Sequence, residues 1–535
     1  MKPTSLVLAL LFCAPLAVAD NYPRQPAIDI QHYIFRVTLS DENDEIAGET
    51  TVAVRFVKDG VATFWLDLAS AANGKGMTVS EVTSAGAAAQ FAHQNGRLTI
   101  SLGAAPKAGE LREYTVKYRG IPADGLKFPK NKFGDRTFFS VNWPDKAHEW
   151  LPTVDHPYDK ATSEFIVTAP SKYQVVANGL LQEELDLGDG RRRTHWKQSV
   201  PIATWLNNIG VAEFASRHFA QAAGVPLQSW TFPKDRENGI GTLEEPLRQS
   251  IEFYADHIGP YPYEKLAGVE AAGMGGGMEH ASEIFFGERS INGRPGLGLV
   301  SHETAHQWFG DSVTESDWDD VWLSEGFATY FSSLTIEHYE GRDALVRQMK
   351  ASRPRIFATE KRMPDVPVVQ TKPWAGIPNQ IVYQKGGWSL HMLRGEVGTE
   401  KFWAGIREYY RRYRDSSATT ADFEKVMEEA SGEDLRWFFQ QWLYRPGSPA
   451  VEGAWRYDAA AKKVQLDLTQ TEPGGPYRLP LEVGIAVPGT AAPKVEKVQF
   501  DQKQQHFEFA AEQEPAEVEL DPNVWLLIDA KIAKK

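Results

Sequence analysis

Two histidines and two glutamates in the middle of the chain have the types and spacing of a metal-dependent hydrolase site. His302 and His306 are four residues apart, Glu303 follows His302 directly, and Glu325 comes after eighteen further residues. Positions i and i+4 of an α-helix lie about 40° apart around its axis, so both imidazoles can face one tetrahedral metal ion. We therefore predict that His302, His306 and Glu325, the last from the next helix, bind one zinc ion.

Glu303 would lie beside this metal and not on it. A carboxylate in that position can accept a proton from water whose pKa the metal lowers to about 7, and can pass it to a leaving amine. Three protein ligands leave the fourth position for water, as in a catalytic zinc site. The alternative is a chance motif on a solvated helix, but the flanking residues are apolar, which favours a buried helix. These residues are Leu299, Val300, Ala305, Trp308 and Phe309.

A glycine-rich segment about twenty residues upstream carries another carboxylate. Gly275, Gly276 and Gly277 are followed by Met278 and Glu279. Glycines let another backbone approach closely, so this segment can form a strand edge that pairs with a peptide while Glu279 binds the free α-ammonium group. The alternative is a flexible glycine turn with an incidental glutamate. The nearby metal motif favours the substrate-binding interpretation.

Composition limits the class of protein. The chain has 535 residues, of which 42% are hydrophobic and 24% charged, as expected for about three globular domains. A formal net charge of −14 argues against a nucleic-acid partner. Cys13 is the only cysteine, so we expect no disulfide in the mature protein.

The first residues have the pattern of a secretory signal peptide, which we assign to 1–19. Lys2 precedes an apolar run from Leu6 to Val18, and small residues precede Asp20. This run is shorter than the roughly 20 residues that span a bilayer, so we predict no integral membrane segment. We expect an exported protein, periplasmic or secreted.

The period of the apolar residues changes twice along the chain. A period of two from about 29 to 214 indicates a largely antiparallel β-domain. From about residue 240 the period is helical, and after Pro446–Pro449 alternation returns, which predicts a small β-sandwich. The helical stretches are near 244–258, 298–309, 319–339, 379–397, 400–413 and 433–444. We predict a multidomain α+β fold with an N-terminal β-domain at 20–215, a mainly helical catalytic domain at 216–445 and a C-terminal β-sandwich at 446–535.

Together these motifs resemble those of the aminopeptidase N-like zinc metallopeptidases, the gluzincins that include the leukotriene epoxide hydrolases. The resemblance is carried by residues 276–279, 302–310 and 322–328, and it extends to 151–157, 383–386 and 438–447. It implies a thermolysin-like catalytic domain, one zinc ion and peptide substrates with a free N-terminus. It also implies that Tyr383 stabilises the oxyanion of the tetrahedral intermediate.

The chain departs from this family pattern in three places. His280 stands where the amine-binding motif commonly ends in Asn, and Ala147-His148 stands where the family usually has Ala-Arg. About 85 residues follow Pro449, too few for the large helical domain that many members carry at the C-terminus.

The predicted function is therefore that of a zinc aminopeptidase. An endopeptidase or an epoxide hydrolase on the same scaffold is the alternative among enzymes, and Glu279 disfavours the endopeptidase because it would capture a free amine. A non-catalytic peptide-binding protein is the alternative outside enzymes. It is disfavoured because every catalytic position has a chemically competent residue.

Overall fold

The computed structural model describes residues 20–369, 378–490 and 492–535. The predicted signal peptide at 1–19, with Cys13, lies outside the described residues. Strands form the first part of the described chain, helices dominate the middle and strands form the end, so the predicted multidomain α+β fold is confirmed. Across the described ranges, no helix combines the length and apolarity needed to cross a membrane. The three domain boundaries remain predictions.

Fifteen strands in the described N-terminal part form three sheets, of eight, four and three strands. The eight-stranded sheet has the order β13-β14-β11-β1-β2-β8-β4-β5, in which β1 and β11 are parallel and the other neighbours antiparallel. The strands are β1 (Ile28–Thr38), β2 (Ile46–Phe56), β3 (Thr63–Asp67), β4 (Gly76–Ser84), β5 (Ala87–Ala88), β6 (Phe91–Gln94), β7 (Arg97–Ser101), β8 (Leu111–Ile121), β9 (Leu126–Lys127), β10 (Phe138–Ser140), β11 (Lys160–Pro170), β12 (Gln174–Ala177), β13 (Leu180–Asp186), β14 (Arg191–Ala203) and β15 (Ile209–Ala212). Every second residue of β11 is buried, which is the physical origin of the period of two.

The middle of the chain combines helices with a five-stranded sheet of order β16-β17-β18-β20-β19, which leaves β19 at an edge. Its elements are β16 (Ala215–Ala222), β17 (Val225–Thr231), α1 (Arg236–Gly239), α2 (Glu245–His257), β18 (Leu266–Ala271), β19 (Gly277–Met278), β20 (Glu283–Gly287), α3 (Leu297–His306), β21 (Val313–Glu315), α4 (Trp322–Glu340), α5 (Arg342–Arg362), α6 (Gly386–Val397), α7 (Thr399–Tyr413), β22 (Ser416–Ala418), α8 (Thr420–Ser431) and α9 (Arg436–Phe439).

Each predicted helical stretch contains a helix, but the short α1 and the longer α5 and α8 were not predicted. Pro354 lies inside α5, and proline normally indicates the end of a helix because it lacks the N–H and clashes with the preceding turn. The start of α8 does carry a recognisable signal. Thr419 and Asp422 form a reciprocal capping box, a pattern typical of the start of a helix.

In the described residues after 449, seven strands form a four-stranded sheet of order β27-β24-β23-β29 and a three-stranded sheet of order β26-β25-β28. They are β23 (Ala450–Asp458), β24 (Lys463–Gln470), β25 (Leu479–Ala486), β26 (Lys494–Phe500), β27 (Gln504–Ala510), β28 (Glu517–Leu520) and β29 (Asp529–Lys534). The segment after β28 contacts the helices: Arg353 of α5 donates to Asp521 Oδ2 at 2.8 Å, and His391 Nε2 of α6 lies 2.8 Å from the Val524 carbonyl oxygen.

His148, which replaces the arginine common in the family, forms an ion pair within the N-terminal domain. Its Nδ1 lies 2.7 Å from Asp155 Oδ2, and its backbone N–H donates to the same oxygen at 3.0 Å. Burial lowers the pKa of His148, but the hydrogen bond and the charge of Asp155 outweigh burial and raise this pKa to about 9. Protonated His148 thus supplies a cation beside Asp155.

We expect this pair to make the stability of the protein depend on pH. The pKa of His148 in the folded state, about 9, exceeds its ordinary value of 6.5, so the contribution is complete below pH 6.5 and is lost as the pH rises through about 9. The difference in melting temperature between the native protein and His148→Ala should be largest near pH 6 and smallest near pH 10. A difference that does not vary with pH would contradict the pairing.

Candidate active site

Helices α3 and α4 bring the predicted metal ligands together. His302 and His306 lie on α3, and Glu325 lies in the first turn of α4. A hydrogen bond of 2.7 Å from Ser332 Oγ of α4 to the Gly298 carbonyl oxygen of α3 ties the two helices side by side. Residues far apart in sequence are therefore held on adjoining helix faces.

The three ligand atoms form a nearly equilateral triangle. The two Nε2 atoms of His302 and His306 are 3.2 Å apart, and Glu325 Oε2 lies 3.5 Å from the first and 3.3 Å from the second. Ligands about 2.0–2.2 Å from a tetrahedral ion are separated by about 3.3–3.6 Å. The triangle therefore has the dimensions of three corners of such a coordination shell.

The surroundings of the triangle also fit a metal. His306 Nδ1 lies 3.2 Å from the Phe309 carbonyl oxygen and 3.0 Å from Ser324 Oγ. A proton on Nδ1 donates to Phe309, which leaves the Nε2 lone pair free to bind a metal. Glu325 Oε2 is buried and has no hydrogen-bond partner within the described residues, so it requires a cation to offset its desolvation.

The carboxylates of this site are buried close to one another. Burial raises the pKa of Glu303 well above its usual range, and the charge of Glu279 adds to the increase while His306 opposes it. Burial alone would also raise the pKa of Glu325, but the two imidazoles outweigh burial and hold this pKa at about 2. A bound cation would favour the ionised form of both Glu303 and Glu325.

Glu303 lies directly against the glycine-rich segment. A Cβ atom on Gly277 would overlap the carboxyl group of Glu303, so only glycine permits this close approach. Gly277 and Met278 form β19, which pairs with Phe286 and Phe285 of β20 on one side. Because β19 is at the sheet edge, its other side can accept an extended peptide.

Glu279 follows β19 and adds a second carboxylate beside the triangle. Its Oε1 atom is buried without a hydrogen-bond partner in the described chain and lies 3.9 Å from His306 Nε2. Burial raises the pKa of Glu279 to about 7, although the charge of His306 opposes this shift. Glu279, Glu303 and His306 form a second cluster of potential metal-binding groups that shares His306 with the first.

His280 packs in the core and makes no hydrogen bond to Glu279. It is fully buried, neither ring nitrogen has a hydrogen-bond partner among the described residues, and its ring meets Phe285 edge-on at 4.7 Å. Burial lowers the pKa of His280 to about 3. His280 is therefore a neutral aromatic residue at neutral pH and leaves the Glu279 carboxylate uncontested.

Tyr383 reaches the triangle from a π-helical turn, Gln380–Lys385, that leads into α6. Its hydroxyl donates to Glu325 Oε1 at 2.6 Å, and burial raises the pKa of Tyr383 well above its usual range, so it remains a donor. The turn can approach α4 because two glycines meet: a Cβ atom on Gly326 would lie 3.0 Å from the carbonyl carbon of Gly386. This close approach places Tyr383 beside Glu325.

Gln307 is a positioning residue to which the sequence analysis assigned no role. Its Nε2 donates to the carbonyl oxygens of Glu279 at 3.1 Å and His280 at 3.2 Å. Its Oε1 accepts from the Ser282 N–H at 2.8 Å and from the Tyr261 hydroxyl at 3.0 Å. Gln307 therefore fixes the backbone that carries Glu279. Its position directly after the predicted ligand His306 is the feature of the sequence that could have identified this role.

The N-terminal domain holds the same segment from its other end. Asn178 Nδ2 donates to the Ala281 carbonyl oxygen at 2.8 Å, and the Gly179 N–H donates to Ser282 Oγ at 2.8 Å. Buried Lys265 bridges the carbonyl oxygens of Ala177, at 3.2 Å, and Ser282, at 3.1 Å. The two domains share one buried polar network next to the site.

We expect Gln307→Met to destabilise the protein, because it keeps the side-chain size but leaves several buried polar groups without a partner. Each buried group that loses its partner costs about 1–3 kcal/mol. Denaturant unfolding should therefore show a clear loss of stability, while the exposed control Gln502→Met should change stability by less than about 0.5 kcal/mol. Equal stability of the two variants would remove Gln307 from the role assigned to it.

Comparisons with known proteins relate this chain to one family of peptidases. Residues 30–206 match the peptidase M1 N-terminal domain, and residues 244–442 match the peptidase family M1 domain. The glutamyl aminopeptidase of Rattus norvegicus is 27% identical over 341 residues, which are 61% of this chain and 36% of that protein. The probable aminopeptidase 2 of Sulfurisphaera tokodaii is 27% identical over 396 residues, 70% of this chain and 50% of that protein. The chain thus spans about a third to a half of the length of these relatives.

A solved structure has the same fold. The M1 zinc metallopeptidase from Deinococcus radiodurans aligns with a TM-score of 0.67 and 24% sequence identity, over 78% of this chain and 94% of that chain. The two family matches together cover most of this chain. One spans strands of the N-terminal domain and the other spans the helices that carry the site. The protein therefore belongs to peptidase family M1 and is a metallopeptidase of the hydrolase class.

Proposed function

We propose that this metallopeptidase is an exported, zinc-dependent aminopeptidase that hydrolyses the N-terminal peptide bond of peptides. The observation that carries the proposal is the buried Oε1 atom of Glu279, which lies 3.9 Å from His306 Nε2 and has no hydrogen-bond partner in the part of the chain that the structure describes. A carboxylate oxygen in this position can bind the α-ammonium group of a peptide whose first carbonyl group lies at the metal. The relatives named above are called aminopeptidases, which supports the proposed activity. The proposal that the protein is exported rests on the sequence pattern of residues 1–19.

His302, His306 and Glu325 would hold the zinc ion, which supplies a Lewis acid that polarises the scissile carbonyl and lowers the pKa of water. Glu303 accepts the proton of the attacking water at its carboxylate and delivers it to the leaving amine. Glu303 is suited to both steps because it is buried beside the ligands and lies against the edge strand. No covalent intermediate is required.

The other groups align the peptide and stabilise developing charge. The backbone of Gly276, Gly277 and Met278 can pair with the substrate along the free side of β19. Tyr383 turns its hydroxyl from Glu325 Oε1, where it donates at 2.6 Å, towards the oxyanion as negative charge develops there.

The proposal is tested with a panel of aminoacyl chromogenic amides, each assayed with and without a chelator and beside an N-acetylated counterpart. Glu279→Ala removes the partner of the α-ammonium group, a charge-assisted hydrogen bond of about 1.5–3 kcal/mol, so kcat/KM on free amines should fall about 10- to 100-fold. Acetylated substrates should be poor for both proteins. Glu279→Gln, which keeps the size and removes the charge, should also lose activity on free amines.

Equal losses on free and acetylated substrates would remove Glu279 as the amine anchor and favour the endopeptidase. Undiminished hydrolysis in the presence of the chelator would refute the role of the metal. Peptide binding without turnover of any substrate would favour the non-catalytic peptide-binding alternative.

Glu303→Gln and His302→Ala should separate proton transfer from metal binding. Glu303→Gln loses only the general base, so kcat should fall at least about 100-fold while the zinc content stays near one ion per chain. His302→Ala removes a ligand, so the zinc content itself should fall. Metal analysis and turnover measured on the same samples decide this, and near-normal turnover of Glu303→Gln would exclude its assigned role.

A further inference from the structure

A cavity of about 520 Å³ opens next to Glu303 and extends beyond the residues that the proposed mechanism uses. One wall is a face of α5, where Gln348, Ser352 and Arg355 recur at the i, i+4, i+7 spacing of a helix surface. Leu299 of α3 and Gln384 of the π-helical turn belong to other walls. The volume lies within the range of pockets that bind small molecules and peptide segments.

Arg355 is the only lysine or arginine among the residues that line this cavity within the described chain. It is exposed, and it makes no ion pair or hydrogen bond with any described residue. Among the described residues nothing engages its guanidinium group, which has five donors and a permanent charge. The permanent charge of this guanidinium group makes it a partner for an anionic group that enters the cavity.

The cavity lies on one side of the scissile bond. Gly276, Gly277, Glu303 and Tyr383 line it, whereas Glu279 does not. Under the proposed function, Glu279 holds the α-amine of the first residue. The cavity then receives the part of the substrate that follows the scissile bond.

We propose that Arg355 binds a carboxylate on the leaving side of the substrate. Two sources present this chemistry: the C-terminal carboxylate of a short peptide and an acidic side chain after the scissile bond. A planar guanidinium group can bind either carboxylate through two parallel hydrogen bonds. This proposal rests on the proposed function and adds a preference for the substrate beyond its first residue.

The test compares matched peptides on the zinc-loaded native protein and on three variants. Ala-Ala-Ala and its C-terminal amide test the terminal carboxylate, and Ala-Glu-amide with Ala-Gln-amide tests the acidic side chain. Arg355→Ala should lower kcat/KM for the carboxylate-bearing member of at least one pair about 10-fold more than for its neutral partner. Arg355→Lys, which keeps the charge but loses the two-pronged geometry, should show an intermediate loss.

Arg347→Ala is the matched control. Arg347 lies on the same helix, is exposed and lines none of the described cavities, so this change alters the net charge equally without altering the pocket. The pair that responds identifies the source of the carboxylate. Equal losses on both members of both pairs, or losses of the same size in Arg347→Ala, would overturn the proposal.

A binding measurement separates this proposal from the proposed aminopeptidase activity. Calorimetric titration of zinc-loaded Glu303→Gln with Ala-Ala-Ala, Ala-Glu-amide and their neutral partners requires no turnover. The double variant that also carries Arg355→Ala should bind the carboxylate-bearing peptide about 10-fold more weakly. Its affinity for the neutral partner peptide should change less. If the native protein hydrolyses no free-amine substrate, the proposed function fails, and this titration still decides whether Arg355 binds a carboxylate.

Discussion

The site depends on the contact between α3 and α4, which holds two imidazoles and a carboxylate within 3.5 Å of one another. Neither helix alone contains the set. Ser324, one residue before Glu325, lies 3.0 Å from His306 Nδ1, so the same contact also orients a ligand ring. A small displacement of either helix would open the triangle and would disturb the proton position on His306.

This arrangement concentrates negative charge in a buried place. Glu279, Glu303 and Glu325 all lie beside His306, and each would be costly to ionise without a cation or hydrogen-bond donors. Nearby, half-buried Lys160 of the N-terminal domain donates to the carbonyl oxygens of Asp311 and Ser312 at 3.0 and 2.7 Å. The N-terminal domain thus contributes to the site through buried polar contacts.

The segment from β19 to β20 connects the cluster of predicted metal ligands to the catalytic and N-terminal domains. Gln307 binds it from the end of α3, and Asn178 binds it from the N-terminal domain. Its glycine against Glu303 and its carboxylate beside His306 are therefore fixed relative to each other. Under the proposed function, this fixed geometry would set the distance between the amine anchor and the reacting carbonyl group.

The sequence by itself determined those features that follow from local spacing. The i, i+4 histidines, the glutamate between them and the helical or alternating periods predicted the ligand helix, six helical regions and β-domains at both ends, because backbone geometry imposes those periods directly. The assignment of Tyr383 came from family resemblance, and the structure places its hydroxyl on Glu325. Pro354 obscured α5, and with it the wall that carries Arg355. Only the tertiary structure decided the hydrogen bonds of Gln307, the burial of His280 and the exposure of Arg355 in the wall of a cavity. Each of these depends on how segments far apart in the chain pack together.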